Sequence, residues 1–190
     1  MILARRHLPL AAMGLLAACN TPPAPAPFDA SQVTPIRLAV QTFDVRTETE
    51  QKPEWTFIDR RRSDDLAKAT ADFLRQRFVA GGGADLGAGI IEEASIVTVP
   101  RKLSKAQSIL PGQITADVTG TLGVRIVISD STGVERSFAS ARVQIKREMK
   151  GGSVPAQDAF AQQLMRSLID ALSGSIQTSV EQNLANYIAL

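Results

Sequence analysis

The stretch VTGTLGVRIVI at residues 118–128, followed by Asp130-Ser131-Thr132-Gly133 and then ASARVQIK at 139–146, decides the fold. Val118, Leu122, Val124, Ile126 and Ile128 share one parity, and Ala139, Ala141, Val143 and Ile145 alternate with Ser140, Arg142, Gln144 and Lys146. Side chains of a strand point alternately to opposite faces, so a period of two predicts two strands, each with one face toward a core. The Asp-Ser-Thr-Gly between them is turn chemistry, which joins the pair as a long antiparallel hairpin.

Toward the N-terminus, Ala94–Val99 reads as a further strand ending at Pro100. Ile36, Leu38 and Val40 against Arg37 and Gln41 predict a first strand over 36–43. The polar segment from Asp44 to Arg62, with Pro53, Trp55, Phe57 and the basic run Arg60 to Arg62, reads as a long loop with a short extended piece at Trp55 to Ile58. Ser63 suits a helix N-cap, with Asp64 and Asp65 in the first turn where the helix dipole favours negative charge. Leu66, Ala69, Thr70, Phe73, Leu74 and Arg77 continue at helical spacing, and this amphipathic helix ends before Gly81. The glycine cluster Gly81 to Gly89 does not fit a phosphate-binding loop: a helix precedes it and no lysine closes it. It reads as a flexible loop with a helix C-cap, and Arg101 to Gly112 as an irregular connection.

Toward the C-terminus, a helix is expected from about Ala156 to Tyr187 after Gly151-Gly152, roughly 45 Å long at the rise of an α-helix. Its apolar stripe is Phe160, Leu164, Leu168, Leu172, Ile176, Val180 and Leu184. Pure i+4 spacing advances each step about 40° beyond a full turn, so the stripe winds round the helix. Either the helix bends near Ser173-Gly174-Ser175 to stay on its own sheet, or its last turns meet a partner. The expected fold is α+β: an antiparallel sheet of about four strands with two helices on one face, in the order β-α-β-β-β-α.

The first eighteen residues have the parts of a secretory signal: basic Arg5 and Arg6, an apolar run from Leu8 to Ala18, and small residues before a cleavage point. The run is shorter than the about 20 apolar residues a membrane span needs. Leu16-Ala17-Ala18-Cys19 resembles the lipobox of bacterial lipoproteins, in which the cysteine is lipidated and becomes the new N-terminus. The alternative is an ordinary cysteine in an ordinary signal, but Cys19 is the only cysteine in the chain. The expected organisation is a signal peptide over 1–18, lipidated Cys19 and a Pro-rich tether to residue 34, and a single periplasmic domain over 35–190. Thr21 to Pro27 alternates prolines that can neither continue a helix nor pair as a central strand. Asn20 rather than Asp after the cysteine favours the outer membrane.

Cleavage before Cys19 would leave 172 of the 190 residues, with 19 basic against 19 acidic, so no positive field remains that argues for nucleic acid. His7 is the only histidine and departs with the signal, which removes Ser-His-Asp and Cys-His catalysis and most zinc or copper sites. Carboxylate chemistry remains open on composition. However, neighbouring residues point in different directions, so neither Asp64-Asp65 nor Glu92-Glu93 is expected to converge on a substrate. Aromatic content of 5% argues against a sugar-stacking cleft. No cofactor is expected.

The order of elements behind a lipobox and proline tether is similar to two families of small envelope lipoproteins. These are the lipopolysaccharide-assembly lipoprotein that plugs an outer-membrane barrel and the auxiliary lipoproteins of ABC-type lipid transport. The likeness covers about Ile36 to Tyr187, is architectural, and transfers no functional residue except Cys19. It implies a non-catalytic accessory subunit held to a membrane through Cys19, with a protein partner in an envelope complex. Arg142, Lys146 and Arg147 are candidate contacts for anionic lipid, against a solvated strand face. Trp55 and Phe57 are candidate partner contacts, against burial in the core. A free-standing lipid or ligand carrier and a carboxylate hydrolase are the competing readings.

Overall fold

A computed structural model describes residues 34–102 and 113–189. Cys19, the signal and the tether lie outside the described residues, as does most of the connection expected at Arg101 to Gly112. The elements are β1 (Ile36–Thr47), α1 (Phe57–Arg77), β2 (Phe78–Pro100), β3 (Ile114–Ser129), β4 (Glu135–Lys150) and α2 (Val154–Asn183), then a 3-10 turn at Ala185–Tyr187. One sheet takes the order β1-β2-β3-β4, and both helices pack on the same face of it. The α+β class and the element order agree with the sequence reading. The sheet is mixed, however, because β1 and β2 run parallel while β2-β3 and β3-β4 are antiparallel. A helix between two strands returns the chain to the end at which it started, so the neighbours it joins are parallel.

The expected hairpin is present, with Val124 opposite Ala141 and Ile126 opposite Ala139. Its turn is built by Asp130, whose Oδ1 accepts from the backbone amides of Thr132 (2.9 Å) and Val134 (3.0 Å). The Thr132 hydroxyl, donating to the same oxygen at 2.6 Å, and then these amides hold the Asp130 carboxyl below its ordinary pKa.

Three boundaries differ from the sequence reading. Ser63 does not cap α1, and Trp55 to Ile58 is not extended: the helix begins at Phe57, within the segment read as loop. Thr56 is the N-cap, its Oγ1 accepting from the Asp59 amide while the Asp59 carboxylate accepts from the Thr56 amide, a reciprocal capping box. Ser63 is instead buried in the second turn.

The glycine cluster is not a loop either. The chain passes from Arg77 directly into β2, which runs through Gly81 to Gly89 alongside β1. The register slips between Leu38–Ala80 and Val40–Asp85, and the extra residues carry Gly82 and Gly83 at positive φ. A Cβ at Gly83 would lie 2.4 Å from the Ala39 carbonyl oxygen, so the bulge needs glycine there for both reasons.

The C-terminal helix ends at Asn183 rather than Tyr187, and its stripe stays on its own sheet. Leu164, Leu168, Leu172, Ile176, Val180 and Leu184 are fully buried and Phe160 partly so. β3 and β4, each 16 residues long, provide the surface on which it packs. Beyond α2, Ile188 bridges to Leu38 and the Ala189 amide donates to the Arg37 carbonyl, covering one end of the outer edge of β1.

Beyond Thr47 the outer edge of β2 has no strand beside it among the described residues, and α1 supplies the partners. Ser63 Oγ accepts from the Ile96 amide (3.0 Å) and Asp59 Oδ1 from the Thr98 amide (3.1 Å). Side chains of the helix thus complete a ladder that β1 leaves unfinished.

Candidate functional site

With both helices on one face, the other face of β2-β3-β4 stays open and carries rows of polar residues in register. Glu93, Gly123 and Arg142 form one row, Ser95, Thr121 and Gln144 the next, and Val97, Thr119 and Lys146 a third. The segment leaving β1 curls over this face. Glu48 extends the β1 pairing by donating to the Ile91 carbonyl, a turn at Pro53 closes with the Trp55 amide donating to the Lys52 carbonyl, and Arg60 holds the Pro53 carbonyl. Between this segment and β4 lies a groove of about 870 Å³, walled by Glu48, Glu50, Lys52 and Trp55 and floored by Ser95 and Thr121.

Strict alternation would place Glu92 and Glu93 on opposite faces, and the structure corrects that expectation. The register slips between Ile91 and Glu93, leaving Glu92 as an extra residue between buried Ile91 and buried Ala94. Both carboxylates therefore line the groove. Glu93 is engaged by Arg142 through Nε at 2.8 Å and a second nitrogen at 3.3 Å, across the missing side chain of Gly123. This bond raises the Arg142 pKa above its ordinary value. Glu48, Glu50 and Glu92 have no ion pair among the described residues. Asp64 and Asp65 are exposed on α1 and do not line the groove, though Asp64 accepts a hydrogen bond from Gln51 in the segment that walls it.

The other residues singled out from sequence separate in space. Trp55 is half-buried in the groove wall, whereas Phe57 begins α1 and is 79% exposed. Arg142 and Lys146 share the open face, each facing a carboxylate, Glu93 and Asp117 respectively. Asp117 also binds Arg101, which holds its carboxyl below the ordinary pKa. Arg147 lies on the opposite face and donates to Ser167 of α2, so the three cations do not form one cluster. Glu48, Ser95 and Thr121 escaped the sequence reading. The only signal for them was the shared parity of Thr119 and Thr121 with Ser95 as a polar partner.

The groove is suited to binding. Its one paired carboxylate is held by a guanidinium, its floor offers hydroxyls and an amide, and Gln144 donates to Thr121 Oγ1 at 3.2 Å. Among the described residues no group of three or more His, Cys, Asp or Glu could hold a metal ion, and no helix is long and apolar enough to cross a membrane.

No family model matches the chain, and no curated protein matches it by sequence. Solved structures similar to it are bacterial lipoproteins. A minor lipoprotein from Acinetobacter baumannii is 13% identical over 80% of this chain and 98% of its own, with a TM-score of 0.33. The rare lipoprotein B from Shewanella oneidensis is 9% identical over 73% and 97%, at 0.36. An uncharacterized lipoprotein B from Nitrosomonas europaea is 14% identical over 77% and 86%, at 0.37.

Proposed function

We propose that this protein is a periplasm-facing lipoprotein, anchored through lipid on Cys19 to the outer membrane, that serves as a non-catalytic accessory subunit of an envelope assembly or lipid-transport complex. The observation that carries the reading is Leu16-Ala17-Ala18-Cys19 at the end of an apolar run, with the only cysteine of the chain in the lipidated position. Several acyl chains on one residue make a stable anchor, since each buried methylene contributes about 0.8 kcal/mol. The proline-rich residues that follow would hold the domain off the lipid surface.

The packing favours a scaffold over a lipid carrier. A carrier needs an apolar cavity between sheet and helices, and that space is occupied by Leu66, Phe73, Leu122, Ile126, Leu164 and Leu168, all fully buried. The groove lies on the other face and is polar. Of the carboxylates weighed for a hydrolase, Glu93 is taken up by Arg142, and Asp64 and Asp65 stand exposed on α1 and do not line the groove.

The test is membrane fractionation with crosslinking. Wild-type protein should sediment with outer membranes and, after gentle solubilisation, bring a barrel or a transport-complex subunit with it. Cys19→Ser should appear in the soluble fraction; a variant that stays membrane-bound through a high-salt wash overturns the anchor. Recovery of the wild-type protein alone overturns the accessory role.

A further inference from the structure

We propose that the groove on the open face of the sheet receives a basic, extended segment of a partner protein, with a lysine or arginine side chain lying between Trp55 and the carboxylates of Glu48, Glu50 and Glu92. The inference names the partner-facing site of the accessory-subunit reading and rests on it.

Charge is the first argument. The unpaired ionic groups lining the groove are three carboxylates, Glu48, Glu50 and Glu92, against the single ammonium of Lys52. Arg142 adds no free positive charge, because both of its contacts go to Glu93. A phosphate or an anionic headgroup would meet net repulsion here, whereas an ammonium or guanidinium would be attracted.

The aromatic wall is the second. Trp55 is held at the rim by the Lys52–Trp55 turn and is half-buried with a side toward the cavity. An indole that lines the same groove as unpaired carboxylates suits an organic cation, through the ring quadrupole and the charges together.

The floor is the third and is independent of charge. Ser95 is 7% exposed, lines the groove, and its hydroxyl has no hydrogen-bond partner among the described residues. Its cross-strand neighbour Thr121 is 4% exposed and keeps its own hydroxyl bonded to Gln144. The Ser95 side chain is thus nine-tenths buried with its hydroxyl open to the groove, where it can donate to or accept from a ligand. A peptide backbone carries both donors and acceptors at close intervals, and a groove of about 870 Å³ is of the size that takes a short segment.

Trp55 is the only tryptophan of the chain, so its emission reports on this groove alone. The full mature lipoprotein in non-ionic micelles is titrated with the peptide acetyl-Gly-Lys-Gly-Arg-Gly-amide. Parallel titrations use the same peptide with glutamates in place of both basic residues, and maltotriose. The basic peptide alone should change the emission saturably, with weaker binding as salt rises. Glu48→Gln with Glu92→Gln should weaken it about fivefold, as expected for two partly exposed charge contacts. Asp170→Asn, at an exposed position of α2 on the other side of the sheet, should leave it unchanged. An equal response to the acidic peptide or the sugar, no saturable response to the basic peptide, or unchanged affinity in the Glu48 and Glu92 variant overturns the proposal. If the crosslinked complex is still recovered in that case, the accessory role stands and the partner docks elsewhere.

Discussion

The two faces of β3 use one strand for opposite purposes. Toward the helices, Val118, Leu122, Val124, Ile126 and Ile128 are buried in the core. Toward the open side, Asp117, Thr119, Thr121, Gly123 and Arg125 alternate with them, and Thr121 and Gly123 are buried as well. Burial alone therefore does not separate the faces; what separates them is what covers each. The first is sealed by apolar side chains of α1 and α2. The second is covered by polar neighbours around a groove, and it bonds through Gln144–Thr121 and Glu93–Arg142 rather than through methyl groups.

Two glycines of this strand break the comparison most directly. Gly120 faces α2, and a Cβ there would lie 2.6 Å from Leu168 Cδ1, whereas at Gly123 it would meet Glu93 Cβ at 3.4 Å. Gly120→Val should destabilise the domain by about 3 kcal/mol through overpacking. Gly123→Val should stay within about 0.5 kcal/mol while displacing the Glu93–Arg142 pair. Chemical denaturation midpoints of both variants read the difference, and equal losses would show that the open face is packed as tightly as the core.

A smaller effect is expected where α1 completes the edge of β2. Ser63→Ala removes the acceptor of the Ile96 amide and leaves a buried donor unpaired, which should cost about 1.5 kcal/mol. The exchange rate of the Ile96 amide hydrogen should rise with it, and an unchanged rate would mean that another group takes the bond. The smallest effect belongs to the open face. Glu93→Gln should change stability by less than about 1 kcal/mol, because the pair is solvent-exposed on both sides. A larger loss in the same denaturation assay would make that pair a structural element rather than part of a binding surface.

The regions also differ in how legible they were. The hairpin and the stripe of α2 were readable because each side chain there reports its own face, with period two in β3 and β4 and four-residue spacing in the helix. The first half of β2 was not, since Gly81 to Gly89 has few side chains to report a face, and its strand character comes from the β1 backbone beside it. The start of α1 was misplaced because Ser63 with Asp64 and Asp65 matches a cap as well as Thr56 with Asp59 does. Only the reciprocal bonds of the folded chain distinguish them. Within the site, Trp55 and the Glu92-Glu93 pair were noticed, but their convergence with Ser95 was not.

From the sequence alone came the α+β class, the order of elements, the long hairpin and the expectation of an anchor at Cys19, because these rest on periodicity and on residues adjacent in the chain. The parallel pairing of β1 with β2, the edge completed by Ser63 and Asp59, and the groove were decided by tertiary structure. Each depends on residues distant in the chain meeting in a particular register, and the bulge at Glu92 shows that one extra residue in that register is enough to bring two carboxylates to the same side.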